Sequence, residues 1–470
     1  MSNDAKEKSA GQLLQERLFT QKKNGMLKLS EAEIKEVDSF CEAYKSFLDD
    51  AKTEREAVET SVELAKSNGF VMYNPEKTYA PGDKVYYNNR GKSLILCVFG
   101  SENLENGVKI SAAHIDSPRL DLKQHPVYES NELCLLKTHY YGGIRKYQWP
   151  TIPLALHGVV FKADGEKVNV SIGEDESDPV FMVTDLLPHL AQEQSKRTLA
   201  DGIRGEELNV LIGSRPFNDD DVSEKVKLNV LSILFDKYGI IEDDFVSAEL
   251  EVVPAFKAKD VGLDRGLIGG YGQDDRVCGY TALQAILECD NPEHTCITVL
   301  TDKEEIGSIG NTGLQSAYLE HFITLISENS GANPVTVISK SSCLSADVSA
   351  AFDPTFPEVN ESKNASYCNY GVALAKYTGS RGKSGCNDAN AEFVSYVRNI
   401  FDSNGVIWQT AELGRVDLGG GGTVAAYIAN LGMDVVDVGV PVLCMHAPYE
   451  ITAKLDVYMA YKGFSVFFNN

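Results

Sequence analysis

Short runs of unbroken apolar residues recur in two separated stretches of this chain, with helical stripes between them. That alternation constrains the fold more than any other feature. SLILCVFG occupies 93–100 and GVKISAAHID 107–116; after a long gap come CITVLTD (296–302), VTVISKS (335–341) and MDVVDVGVP (433–441). A run without polar alternation suits a strand covered on both faces, as in a parallel sheet. Between the runs lie helical patterns, DRVCGYTALQAILEC at 275–289 and AEFVSYVRNIF at 391–401. Near the start, Ser30 with Glu33 makes a capping box ahead of Ile34, Val37, Cys41, Tyr44 and Leu48, one apolar stripe at three- and four-residue spacing. A second helix carries Val58, Val62 and Ala65 and stops at Gly69. Strands alternating with helices predict an α/β fold, a mostly parallel or mixed sheet covered by helices.

From 117 to 253 the texture changes to valine- and leucine-rich short runs, turn signals such as Asp164-Gly165, and few strong helical patterns. A second, mainly β domain is therefore expected at 117–253, inserted into an α/β domain made of 1–116 and 254–470. A chain of 470 residues has room for two cores. Its formal net charge of −24 repels nucleic acid and anionic membranes. Neither a secretory signal nor a run of ~20 apolar residues is visible, so a cytoplasmic protein without a membrane partner is expected. Ten scattered cysteines without a CxxC pair read as reduced thiols.

Acidic and histidine residues recur where the expected strands end. His114 and Asp116 follow VKISAA, Glu304 and Glu305 follow ITVLTDK, Asp347 follows SSCLSA, and His446 follows VPVLCM; Asp274 opens the helix at 275–289. In open α/β sheets the ligand crevice lies outside the carboxyl ends of the strands, so these residues converge there. Imidazole and carboxylate are zinc ligands, and two histidines with three carboxylates suffice for a pair of zinc ions. Of adjacent Glu304 and Glu305, one can ligate metal while the other serves as base, and Asp116 can hold the second nitrogen of His114. Each residue alone has a structural reading, as cap, solvated face or core histidine; their joint position favours the metal. Nucleotide binding fails on spacing, because GSRGKS (379–384) has Tyr377 where a phosphate loop needs glycine.

The motifs AAHIDSPRLDLK (112–123), GQDDRVCGYTAL (272–283), DKEEIGS (302–308), SADVSAAFDP (345–354) and MHAPYE (445–450), in that order, resemble the aspartyl aminopeptidase family of cocatalytic two-zinc metallo-aminopeptidases. The resemblance implies removal of the N-terminal residue from peptides with free N-termini by a zinc-bridged water, with Glu304 as general base and Asp116 as the orienting acid. It implies two Zn2+ per subunit, Mn2+ or Co2+ being the substitutes. His114 and His446 each bind one ion, Asp274 bridges, and Glu305 and Asp347 complete the set; Asp275 is the alternative bridge, and gapless register selects Asp274. A homododecamer, held together by the inserted domain, is likewise implied. His157, in IPLALH, resembles a histidine that reaches a neighbouring subunit's active site. The stretch 371–393, with Lys376, Arg381 and Lys383, occupies the region that binds the substrate side chain; these cations suit an acidic first residue, and acidic, neutral and basic preferences all stay open.

Overall fold

The computed structural model of the chain describes residues 8–20 and 22–470, so the first seven residues of the stretch searched for a signal lie outside it. The helix Glu31–Asp50 starts at the expected capping box: the Glu33 N–H donates to Ser30 Oγ, and the Ser30 N–H to the Glu33 carboxylate. Its buried stripe is Val37, Cys41, Tyr44, Phe47 and Leu48. The helix Glu54–Ser67 ends at Asn68, followed by Gly69 at φ +86°.

These helices cover a nine-stranded sheet ordered Val71–Met72, Lys84–Asn89, Ser93–Val98, Cys296–Thr301, Lys109–His114, Ser342–Ser345, Asp434–Gly439, Val372–Ala375 and Trp408–Thr410. Its four central strands run parallel, and antiparallel pairs flank them. The unbroken apolar runs are explained by burial on both faces. Leu94, Leu96 and Val98 pack on one side with Val277, Leu283 and Phe464; Ile95 and Cys97 pack on the other with Phe322 and Val337. Each such fully buried side chain contributes roughly 1.5–3 kcal/mol relative to exposure.

One expected strand is a helix. VTVISKS lies largely in the helix Pro334–Lys340, and the strand begins only at Ser342. The β-branched residues favour a strand, but Asn333 accepts from the N–H groups of Val335 and Thr336, and Pro334 sits at the first helical position. Capping therefore overrides propensity here.

Between His114 and the helix Gln273–Leu287, the chain builds an antiparallel seven-stranded sheet. Its order is Lys167–Ile172, Leu154–Phe161, Ala248–Pro254, Arg119–Ser130, Leu133–Tyr141, Val210–Gly213 and Met182–Val183. It has its own apolar cluster around Trp149, Leu154, Val210 and Val252. KVKLNVLSILFDKY forms a helix, Lys225–Tyr238, that the sequence reading does not separate from its β-rich surroundings. A five-stranded sheet, Lys259–Val261, Leu267–Gly270, Glu450–Ala453, Pro441–Leu443 and Ser349–Ala350, joins the remaining segments. Among the described residues no helix is long and apolar enough to cross a membrane.

Candidate active site

The parallel register sets the site. His114 pairs with Thr301, so those two strands finish level, and Ser345 pairs with both Ala112 and Asp437, so its strand stops two residues short of His114 and Asp347 follows in the space beyond. His114 is the last residue of its strand; Glu304 and Glu305 follow the strand ending at Thr301, and Asp347 the strand ending at Ser345. Asp274 comes from the first turn of Gln273–Leu287, and His446 from the turn after Pro441–Leu443. The structure thus brings together six residues from across the sequence.

Asp274 lies between the two imidazoles. Its Oδ1 is 3.1 Å from His114 Nε2 and its Oδ2 is 3.2 Å from His446 Nε2. Asp275 does not lie between the two rings: its Oδ2 accepts the His114 backbone N–H at 3.3 Å, and its carboxylate stands within 4.8 Å of ligand atoms of His114 and Asp347. His446 Nε2 is also 3.5 Å from Glu305 Oε1, while His114 Nε2 is 3.9 Å from Asp347 Oδ1 and 4.0 Å from Glu304 Oε2.

The other ring nitrogens decide the tautomers. His114 Nδ1 is 3.0 Å from the Asp116 carbonyl oxygen and His446 Nδ1 is 3.0 Å from the Gly143 carbonyl oxygen. A carbonyl only accepts, so each Nδ1 carries the hydrogen, and a neutral ring turns the lone pair of Nε2 towards Asp274. The Asp116 carboxylate is also 3.3 Å from His114 Nδ1, but the shorter contact to the carbonyl is the hydrogen bond. Lone pairs and carboxylate oxygens then face one another. Asp274 Oδ1 and Glu305 Oε1 are buried without a hydrogen-bond partner. Such a set of nitrogen and oxygen donors fits a cation among them, and suits zinc.

Charge points the same way. Asp116, Asp274, Asp275, Glu304, Glu305, Asp347 and Glu450 all lie around only two histidines. Burial pushes Glu305, Asp347 and Asp275 well above the usual carboxylate range, with repulsion from neighbouring acids adding to it. Burial likewise takes Glu304 up to about 7. For Asp274 burial acts upward too, but as long as both imidazoles carry a proton on Nε2 their hydrogen bonds and charge outweigh it and hold Asp274 well below the usual range; against burial, the same acids raise His114 and take His446 up to about 10, and a bound cation would take the place of those protons. Divalent cations would balance this excess of negative charge.

Supporting residues complete the geometry. The Asp116 carboxylate accepts the backbone N–H groups of Glu304 and Glu305, at 3.1 and 3.2 Å, and the Tyr141 hydroxyl at 2.8 Å. Glu450 accepts the His446 N–H on Oε1 at 2.7 Å and the Asp274 N–H on Oε2 at 3.0 Å. Burial, then the Asp274 charge, pushes Glu450 up to about 8. Sequence reasoning assigned no role to Glu450, Tyr141 or Gly143. Glu450 stands in a quoted motif four residues after His446, which is the only local signal any of them offers.

Beside the metal-type cluster lies a cavity of about 470 Å³ lined by Ala373, Ala375, Thr378, Leu413, Gly420 to Thr423, Tyr427, Asp437 and Met445, with the acids and His446 at its edge. Lys376, Arg381 and Lys383 do not line it. Lys383 and Lys376 lie 2.9 and 3.6 Å from the Asp388 carboxylate, and Arg381 borders a small adjoining depression. His157 is also elsewhere in this chain. It is buried in the strand Leu154–Phe161, with Nδ1 2.7 Å from Glu56 and Nε2 3.0 Å from Glu174, so both nitrogens are engaged at the junction with the helix Glu54–Ser67.

Comparison with known proteins adds a family. The profile described as "Aminopeptidase I zinc metalloprotease (M18)" matches residues 47–468. The chain is similar to a probable M18 family aminopeptidase 1 of Clostridium acetobutylicum, 52% identical over 96% of this chain and 99% of that one. Its fold is similar to the crystal structure of an M18 aminopeptidase from Thermotoga maritima, with TM-score 0.92, 44% identity, and coverage of 96% of this chain and 100% of that one. It is also similar in fold to the mApe1 dodecamer of S. cerevisiae, with TM-score 0.73, 21% identity, and coverage of 92% and 96%.

Proposed function

Because this chain belongs to the M18 family of zinc metalloproteases and is an aminopeptidase, we propose that it works through two zinc ions sharing Asp274. His114 and Asp347 would hold one, and His446 and Glu305 would hold the other. The observation that carries this is the placement of Asp274 between the Nε2 atoms of two imidazoles, each ring oriented by a backbone carbonyl at Nδ1. Zinc, when bound, polarises the scissile carbonyl and lowers the pKa of water. Glu304 accepts a proton from the attacking water and returns it to the departing amine. Asp116 orients His114 and, through the N–H groups it accepts, the Glu304-Glu305 turn. The substrate's free α-amine is a cation and is drawn to the carboxylates, which accounts for action at N-termini only.

The cavity receives the first side chain. Its lining offers no lysine or arginine, so a neutral first residue is favoured over aspartate or glutamate. Residues 117–253 form a separate inserted domain, and exposed apolar side chains there, such as Phe217, Ile233 and Phe235, support its role as the contact surface of a homododecamer. Ten free cysteines support a cytoplasmic location.

The test is a panel of aminoacyl amides and peptides, blocked and unblocked, before and after chelation and restoration of zinc, with metal counted per subunit. Cleavage confined to free N-termini, with two zinc ions per subunit and neutral residues preferred, is expected. One zinc per fully active subunit would overturn the paired site, and preference for aspartate would overturn the cavity reading. Glu304→Gln should keep both metals and lose most turnover; full activity would remove Glu304 as base. Light scattering of the purified protein measures the assembly, and fractionation of cells its location.

A further inference from the structure

One turn of the seven-stranded sheet touches what holds each histidine. The strand Leu133–Tyr141 ends at Tyr141, whose hydroxyl donates to Asp116 Oδ2 at 2.8 Å. Two residues on, the Gly143 carbonyl accepts His446 Nδ1 at 3.0 Å. Asp116 in turn accepts His114 on its carbonyl, and the N–H groups of Glu304 and Glu305 on its carboxylate. The turn Tyr141-Gly142-Gly143 therefore reaches the partner of one imidazole and the ring of the other.

Its placement is rigid and close. Tyr141 is buried, and the Arg119 guanidinium lies 3.9 Å from the centre of its ring. Arg119 is buried as well, held 3.1 Å from Glu251 of the same sheet and 3.5 Å from Glu54 of the helix Glu54–Ser67. Gly142, at φ +75°, leaves so little room that a Cβ there would lie 3.0 Å from Glu305 Oε2, and a Cβ on Gly143 would lie 3.2 Å from His446 Nδ1.

We propose that the Tyr141–Gly143 turn positions the zinc ligands, Tyr141 acting through Asp116 on His114 and the Glu304-Glu305 turn, and Gly143 acting on His446. This rests on the zinc reading above. Tyr141 touches neither metal ligand nor substrate; it is a positioning residue. Its hydroxyl fixes the orientation in which both Asp116 oxygens meet the Glu304 and Glu305 N–H groups. Without it the carboxylate keeps those two N–H groups but loses its third and shortest partner, so its orientation is less tightly fixed. The seven-stranded sheet thus takes part in setting the geometry of the metal site.

Tyr141→Phe isolates the hydroxyl, because the ring stays against Arg119. In the full-length protein, zinc affinity is measured by chelator competition, the absorption spectrum is recorded after cobalt substitution, and kcat and KM are measured on an unblocked aminoacyl amide. Residues that orient metal ligands are worth 10- to 100-fold in affinity or activity. Expected for Tyr141→Phe are an unchanged assembly size and KM, a fall of about that size in zinc affinity or kcat, and an altered cobalt spectrum. Gly143→Ala should alter the spectrum through His446, and it carries the test if Tyr141→Phe does not fold. A folded Tyr141→Phe with wild-type zinc affinity, spectrum and kcat overturns the proposal. Failure of the wild type itself to bind zinc would instead sink the zinc reading.

Discussion

Replacing Glu450 with glutamine changes one oxygen to an NH2 group and alters almost nothing in size. Glu450 is 1% exposed, and its two oxygens accept from two backbone N–H groups, those of His446 and Asp274. Either orientation of the glutamine amide sets its NH2 against one of them. A buried donor is then unpaired and faces another donor, which costs about 1–3 kcal/mol. Because the two donors belong to the residues that face each other at 3.2 Å, relief comes from moving His446 or Asp274. The expected outcome for Glu450→Gln is a loss of about 2 kcal/mol in stability of the chelated protein, with a 10- to 100-fold weaker affinity for zinc or lower kcat. Urea unfolding of the metal-free protein measures the first, and competition with a chromophoric chelator the second. Wild-type values in both would refute the argument that Glu450 ties the two segments together as a double acceptor.

Three further outcomes follow from the structure. His157 is raised to about 9: burial lowers it, but Glu174 and Glu56 outweigh burial, and Glu174 is correspondingly lowered to about 2. A histidine raised in the folded state contributes stability that is full below the unfolded value of about 6.5 and is lost as pH rises through 9, so up to about 3 kcal/mol should disappear between those limits; thermal unfolding against pH should show the loss in wild type and a flatter profile in His157→Gln. Gly439→Ala would put a Cβ 1.6 Å from the Asp347 carbonyl oxygen, a backbone clash, so zinc affinity should fall at least tenfold along with stability, and a normally loaded variant would contradict the packing. Asn333→Ala removes the cap of Pro334–Lys340 and should cost about 1 kcal/mol in stability while leaving kcat at its wild-type value.

Much of the architecture was legible in the sequence because it is written in local patterns. A strand covered on both faces needs an unbroken apolar run, so SLILCV and KISAA announced themselves, and a capping box announces a helix start at Ser30 without reference to anything distant. Where two local signals competed, as in VTVISKS, the propensity of β-branched residues pointed to a strand, while Asn333 and Pro334 fixed a helix.

What the sequence by itself determined was therefore the element pattern, and with it the expectation that acids and histidines at strand ends gather in one crevice. Only the tertiary structure decided which of them face one another. Asp274 rather than Asp275 lies between the two imidazoles. Tyr141 and Gly143 arrive from a different sheet, 25 and 303 residues away from the groups they meet. The cations at Lys376, Arg381 and Lys383 stand outside the cavity that neighbouring Ala373 and Ala375 line. The physical reason is range: burial and capping act on residues a few positions apart, whereas a tautomer, a shared carboxylate or an orphaned oxygen is settled by groups that meet only once the strands are in register.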